Sequence, residues 1–298
     1  MKQAIALASV LLIAGAALYL AEHRKHADQV SANGVVDVAA DWQRDVSRVP
    51  MRVTRISDEQ ETRIGDELAA AYAPSAHAGA AEFSATEQYV NAVGSRVSAH
   101  AVRKLHYRFH LIWDGDLINA FALPGGHVFV GRGLLDRMTS EDELAFVLGH
   151  EIEHIDHYHA VERVQIEAQL KNMDLDVVGE IAQIPLSLWQ TGYSKEEEFE
   201  ADREGLRIAH AAGYSAQGAL NLLVRWSKLR EEYVIHAETP TDELSQIAID
   251  GLEGYFRTHP LPSERLAQAQ TVIAEDHFSV DAPLKPFRLE YEITANDR

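Results

Sequence analysis

The sequence predicts an α+β domain, mainly α-helical, with a small antiparallel sheet in its first half. Three observations predict it. A Pro124-Gly125-Gly126 turn separates two short apolar runs, Ala120 to Leu123 and Val128 to Val130, which is a hairpin signature. Ser140-Glu141-Asp142-Glu143 reads as a capping box that opens an apolar stripe on Leu144, Val147, Leu148 and Ile152. Beyond that stripe helical periodicity dominates, so strands precede the capped helix and helices follow it.

In chain order, Ala4 to Ala21 carries eighteen residues without a charge, closed by Glu22, Arg24 and Lys25. That length suits either a retained membrane anchor or a signal-peptide core, and residues 1–26 are read as one of the two. Residues 27–56 lack periodicity and form a linker. From residue 57 a first helix places Ile64, Leu68 and Tyr72 on one face and stops at Pro74. A second, over residues 86–100, aligns Tyr89, Val90, Val93 and Val97. Residues 107–113 alternate as a strand. Further helices are expected over 160–183, 194–213, 215–233 and 261–275. The globular domain thus covers 57–276, and 277–298 is a tail too short for a helical repeat domain.

Composition narrows the chemistry. Lys and Arg total 27 against 46 Asp and Glu, a formal charge of −19 over 298 residues, so the electrostatic footprint of a nucleic-acid binder is absent. There is no cysteine, which removes disulfides and thiolate metal sites and leaves any metal to histidine and carboxylate.

His150-Glu151-Ile152-Glu153-His154 lies on the capped helix. A helix turns once in 3.6 residues, so His150 and His154 project from one face and two imidazoles can reach one cation such as zinc. Glu151 sits one residue round, placed to act as general base on a water activated there. A His-Glu-x-x-His would arise by chance in roughly one sequence of this composition in fifteen, so the pentapeptide needs a third ligand. His157 is three residues on, but one helix does not easily converge three imidazoles on a tetrahedral ion; it reads better as a polar helix end.

The stronger candidate is in Ser194 to Gly205, where six acids crowd one helical stretch. Glu200, Glu204 and Arg207 share a solvated face. Glu198 and Asp202 instead continue the stripe of Leu206 and Ala209, and interior carboxylates require partners. Glu198 as third metal ligand, with Asp202 one turn on orienting a ligating imidazole, gives both a role.

Together these features resemble peptidase family M48, which includes Ste24-type, HtpX-type, Oma1-type and BepA-type enzymes. The resemblance rests on Glu61 to Gly65, on Asn119-Ala-Phe-Ala-Leu-Pro-Gly-Gly126, on His150 to His154, on Glu198 to Asp202, and on Thr258-His259-Pro260 followed by Arg265. It implies a gluzincin fold with one zinc ion on His150, His154 and Glu198, and endopeptidase activity on misfolded, membrane or envelope proteins as quality control. It further implies His259 near the metal, as a catalytic group or as an occluding ligand of a latent assembly factor, and Arg265 paired with active-site acids. The segment 119–131 resembles the family's substrate edge, to which an extended peptide adds a strand. The chain lacks the several membrane spans and the tetratricopeptide tail of some members and looks closest to compact, singly anchored ones. A cell-envelope location, membrane-anchored or exported, is the expectation.

Overall fold

The computed structural model describes residues 56–72, 81–171, 173–175, 179–184, 188–189, 192–236 and 260–289. The apolar N-terminus, all of the linker but Ile56, and His259 lie outside them. Among the described residues no helix is long and apolar enough to cross a membrane.

The described elements follow in order: α1 (Asp58–Tyr72), α2 (Ala81–Ser98), β1 (Arg108–Ile112), β2 (Ala120–Leu123), β3 (His127–Gly131), a short α3 (Arg132–Leu135), α4 (Glu141–Asp156), α5 (His159–Lys171), α6 (Lys195–Ala211), α7 (Ala216–His236) and α8 (Pro262–Glu275). The α+β, mainly helical class is the one the sequence predicts. One helix is much shorter than expected. The helix expected over 160–183 ends at Lys171, and Gly179, with φ 94°, holds a left-handed conformation that no α-helix continues through. A separate 3₁₀ turn follows at Ile181–Gln183.

The sheet is mixed. Strand order is β1-β3-β2, with β2 antiparallel to β3 (Ala120↔Val130 to Leu123↔His127) and β1 parallel to it (Arg108↔His127 to Ile112↔Gly131). The antiparallel expectation therefore holds for the hairpin and is corrected for β1. Parallel neighbours need a crossover of about a dozen residues or more, and residues 113–126, which contain β2 and its turn, supply it. In that turn Gly125 and Gly126 have φ of 74° and 95°. The Gly125 amide donates to Glu61 Oε1 at 3.0 Å, and a methyl group on Gly65 would fall 1.9 Å from the Pro124 carbonyl oxygen. Only glycine lets α1 lie this close to the turn.

Alternation gives each sheet face its own core. Ala120, Ala122, Val128 and Val130 pack with Val90, Val93 and Val97 of α2 and with Leu144, Leu148 and Ile152 of α4. Phe121, Leu123 and Phe129 pack with Ile64 and Leu68 of α1, Val164 of α5 and Trp189. Helix α4 is buried along its whole length, polar residues included. Its start departs from the expected capping box: Ser140 Oγ accepts from the Glu143 amide at 3.2 Å, but the Glu143 carboxylate takes the amide and hydroxyl of Thr139, one residue earlier. The described part of the C-terminal tail is packed on the domain. Ser140 pairs with Pro286, Asp142 accepts from the Lys285 amide at 2.6 Å, and Phe278 stacks on His210.

Candidate metal centre

Helices α4 and α6 cross with backbone against backbone. A methyl on Gly149 would lie 2.5 Å from the Gly205 carbonyl oxygen, and one on Gly205 2.5 Å from the His150 nitrogen. Glycine inside a helix costs about 1 kcal/mol against alanine. Here it permits a separation that brings side chains seven residues before Gly205 over His150.

Those side chains converge. His150 Nε2 lies 3.4 Å from Glu198 Oε2 and 3.1 Å from His154 Nε2, and His154 Nε2 is 3.8 Å from Glu198 Oε1. One donor atom from each residue lies within 4.8 Å of the others, and all three residues are buried. Two imidazole nitrogens and a carboxylate that face one another in a buried site form a donor set that could hold a metal ion, with a coordination position to spare. His157 is not among them. It caps α4, is half-buried and pairs with Glu153 at 3.3 Å.

Each imidazole is oriented from behind. Asp202 Oδ1 meets His150 Nδ1 at 2.9 Å, which directs Nε2 toward Glu198. Arg265, from α8, donates to both Asp202 oxygens, Nε to Oδ2 at 2.7 Å and Nη2 to Oδ1 at 2.6 Å. Both residues are 2% exposed, so this two-pronged ion pair lies inside the protein. On His154, Nδ1 meets His159 Nδ1 at 3.0 Å and the Tyr193 ring stacks 3.9 Å away at 22°. The Arg163 guanidinium lies 3.8 Å from the Tyr193 ring and donates to the carbonyls of Leu188 and Gly192, holding the segment before α6 against α5.

Burial and charge tune these groups. Burial disfavours the His150 imidazolium, but the Asp202 and Glu198 carboxylates outweigh it and raise its pKa to about 10 in the metal-free protein. Burial acts against the Asp202 carboxylate as well, and Arg265 and His150 reverse it, so its pKa is lowered. Glu151 is held up at about 7, chiefly by burial, with the His150 charge opposing and the Glu198 charge adding. A carboxylate in that range exchanges a proton near neutrality.

Residues 84–273, well over half of the chain, match the sequence profile of Peptidase family M48. The chain belongs to this family. Among curated proteins, the beta-barrel assembly-enhancing protease of Escherichia coli O157:H7 is 30% identical over 203 residues, covering 61% of this chain and 38% of that protein. The mitochondrial metalloendopeptidase OMA1 of Schizosaccharomyces pombe is 28% identical over 222 residues, covering 72% and 60%. The metalloendopeptidase OMA1, mitochondrial, of Bos taurus is 28% identical over 191 residues, covering 58% and 34%. The chain thus spans between about a third and three fifths of these relatives.

Within this M48 domain the structure brings His150, Glu151, His154, Glu198, Asp202 and Arg265 into one buried cluster. Reading the residues alone missed His159 and Tyr193. His159 stands beyond the end of α4 and reaches back only because Tyr158 adopts φ 64°, which no periodicity announces. Tyr193 precedes Ser194, whose capping box with Glu197 is complete; the Ser-x-x-Glu spacing there is a signal that the reading of the residues did not use.

Proposed function

We propose that this chain is a zinc metalloendopeptidase that hydrolyses peptide bonds in misfolded, membrane or envelope proteins, with His150, His154 and Glu198 as the ligands of one zinc ion. The observation that carries it is the convergence of those three side chains beside a buried Glu151. When bound there, zinc supplies Lewis acidity that activates a water and polarises a carbonyl. Glu151 is the general base: it takes a proton at its carboxylate and returns it to the leaving amine. Asp202 holds the His150 Nδ1 proton and Arg265 keeps Asp202 ionised, so His150 presents Nε2 throughout. Burial of the whole cluster excludes bulk water and strengthens each of these interactions. Peptide substrate adds to the edge strand β2 of the 119–131 hairpin. Residues 1–26 serve as membrane anchor or signal peptide, 27–56 as linker and 57–276 as the catalytic domain, in the cell envelope. Measured casein cleavage and bound zinc in the purified protein, beside Glu151→Gln, test this. Zinc-free protein, or equal activity in the two, would sink it.

A second reading is favoured by the closure of the site. His150, Glu151, His154 and Glu198 are no more than 3% exposed, and β2 no more than 4%. Such closure supports a latent zinc protein that works as an assembly or chaperone factor, in which His259 would close the metal site. Replacing His259 with Ala should then raise proteolysis; a fall in activity makes His259 catalytic instead.

A further inference from the structure

We propose that His159 is a positioning residue that fixes His154 in the tautomer able to bind metal, and that the turn between α4 and α5 is built to deliver it. The inference rests on the metal-site reading above. His154 has two ring nitrogens with different neighbours: Nε2 faces His150 and Glu198, while Nδ1 faces His159 Nδ1 at 3.0 Å. An imidazole that ligates through Nε2 must carry its proton on Nδ1, and that proton needs an acceptor. His159 Nδ1 is that acceptor, so the His159 proton sits on Nε2. There Glu197 Oε1 lies at 3.7 Å and Glu200 Oε2 at 3.9 Å, too long for hydrogen bonds but near enough for their negative charge to favour a proton on that nitrogen. Glu197 is itself fixed, since its Oε2 accepts from the amide and hydroxyl of Ser194, both at 2.8 Å. The capping box of α6 is thereby linked through Glu197 and His159 to a ligand on α4.

The delivery of His159 is local and costly. Helix α4 ends at Asp156, and Tyr158 at φ 64° turns the chain back in a left-handed conformation that strains a non-glycine residue. Arg103 offsets this, with its guanidinium 3.9 Å from the Tyr158 ring and Nη1 donating to the Ile155 carbonyl at 2.9 Å. The choice of imidazole also follows from charge. Glu198, Glu151 and Asp202 already place three carboxylates in this buried cluster. A fourth carboxylate behind His154, mirroring Asp202 behind His150, would add a buried negative charge without a matching Arg265. A neutral imidazole accepts the same proton without that charge.

Asparagine carries its side-chain oxygen where histidine carries Nδ1, and glutamine where it carries Nε2. Zinc affinity is therefore to be measured by chelator competition for the full chain and for His159→Leu, His159→Gln and His159→Asn, together with metal-free melting temperatures. Loss of an outer-shell partner typically weakens metal binding 10–100-fold. The Leu and Gln variants should show that loss, and Asn should stay within about threefold of the parent, at similar metal-free melting temperatures. A Leu variant that binds zinc like the parent, or an Asn variant as weak as Leu, overturns the assignment. If Leu does not fold, equal affinities of Asn and Gln overturn it. A parent chain that binds no zinc overturns the metal-site reading itself, which separates the two failures.

Discussion

Gly149 and Gly205 meet at the crossing of α4 and α6 so closely that neither position has room for a methyl group: the nearest backbone atoms would lie 2.5 Å away. The crossing decides whether Glu198 reaches the two histidines, and the first prediction tests it. Gly205→Ala gains about 1 kcal/mol of helix propensity. The clash, however, is with the His150 backbone nitrogen, which cannot rotate aside. Overpacking of up to about 3 kcal/mol should win by about 1–2 kcal/mol net and lower the melting temperature by roughly 2–8 °C. Zinc affinity should fall with it. Calorimetric melting and chelator competition check both, and an Ala variant with parental affinity refutes the role given to the crossing.

Arg265→Ala should be among the most damaging single changes in the domain. It leaves Asp202 ionised and buried without its partner, a loss of about 3–5 kcal/mol. Arg265→Lys keeps the charge but not the two-pronged geometry and should fall between. The Asp202 pKa is depressed in the folded state, so its contribution is present above the unfolded value near 3.8 and disappears as pH falls through the folded one. Urea unfolding of the parent should lose stability in that acid range, and the Ala variant should show a smaller loss there, because His150 still lowers the Asp202 pKa.

Metal binding should release a proton. His150, raised to about 10, is an imidazolium at neutral pH without metal, and a ligand must be neutral. Apparent zinc affinity should therefore rise about tenfold per pH unit between 7 and 9 from this group alone. Titration calorimetry in two buffers of different ionisation enthalpy counts the protons. In the metal-free protein the sign is opposite: the raised pKa stabilises fully below the unfolded value near 6.5, and that contribution is lost as pH climbs through about 10.

Glu151→Gln keeps the shape of the side chain and removes the base. The expected result is a drop in kcat of at least about 10²-fold with zinc content unchanged. Activity of the parent should decline as pH falls below 7, because the carboxylate, chiefly raised by burial to about 7, is then protonated, and a bound cation moves this limb toward lower pH.

The sequence by itself determined the class, the hairpin, the capped helix carrying His150 and His154, and the inward face of Glu198 and Asp202. These are properties of one element at a time, set by the 3.6 and 2 residue periods and by turn chemistry. Arg265 came only with the family resemblance, because a single arginine on a helix has no periodic signature. The tertiary structure decided what depends on two elements meeting. It set the glycine crossing, the parallel docking of β1 on β3, the fold-back at Tyr158 that carries His159 to His154, and the stacking of Tyr193 over the site. Periodicity reports which way a side chain faces; how closely two faces approach, and what lies between them, follows from packing across the whole chain.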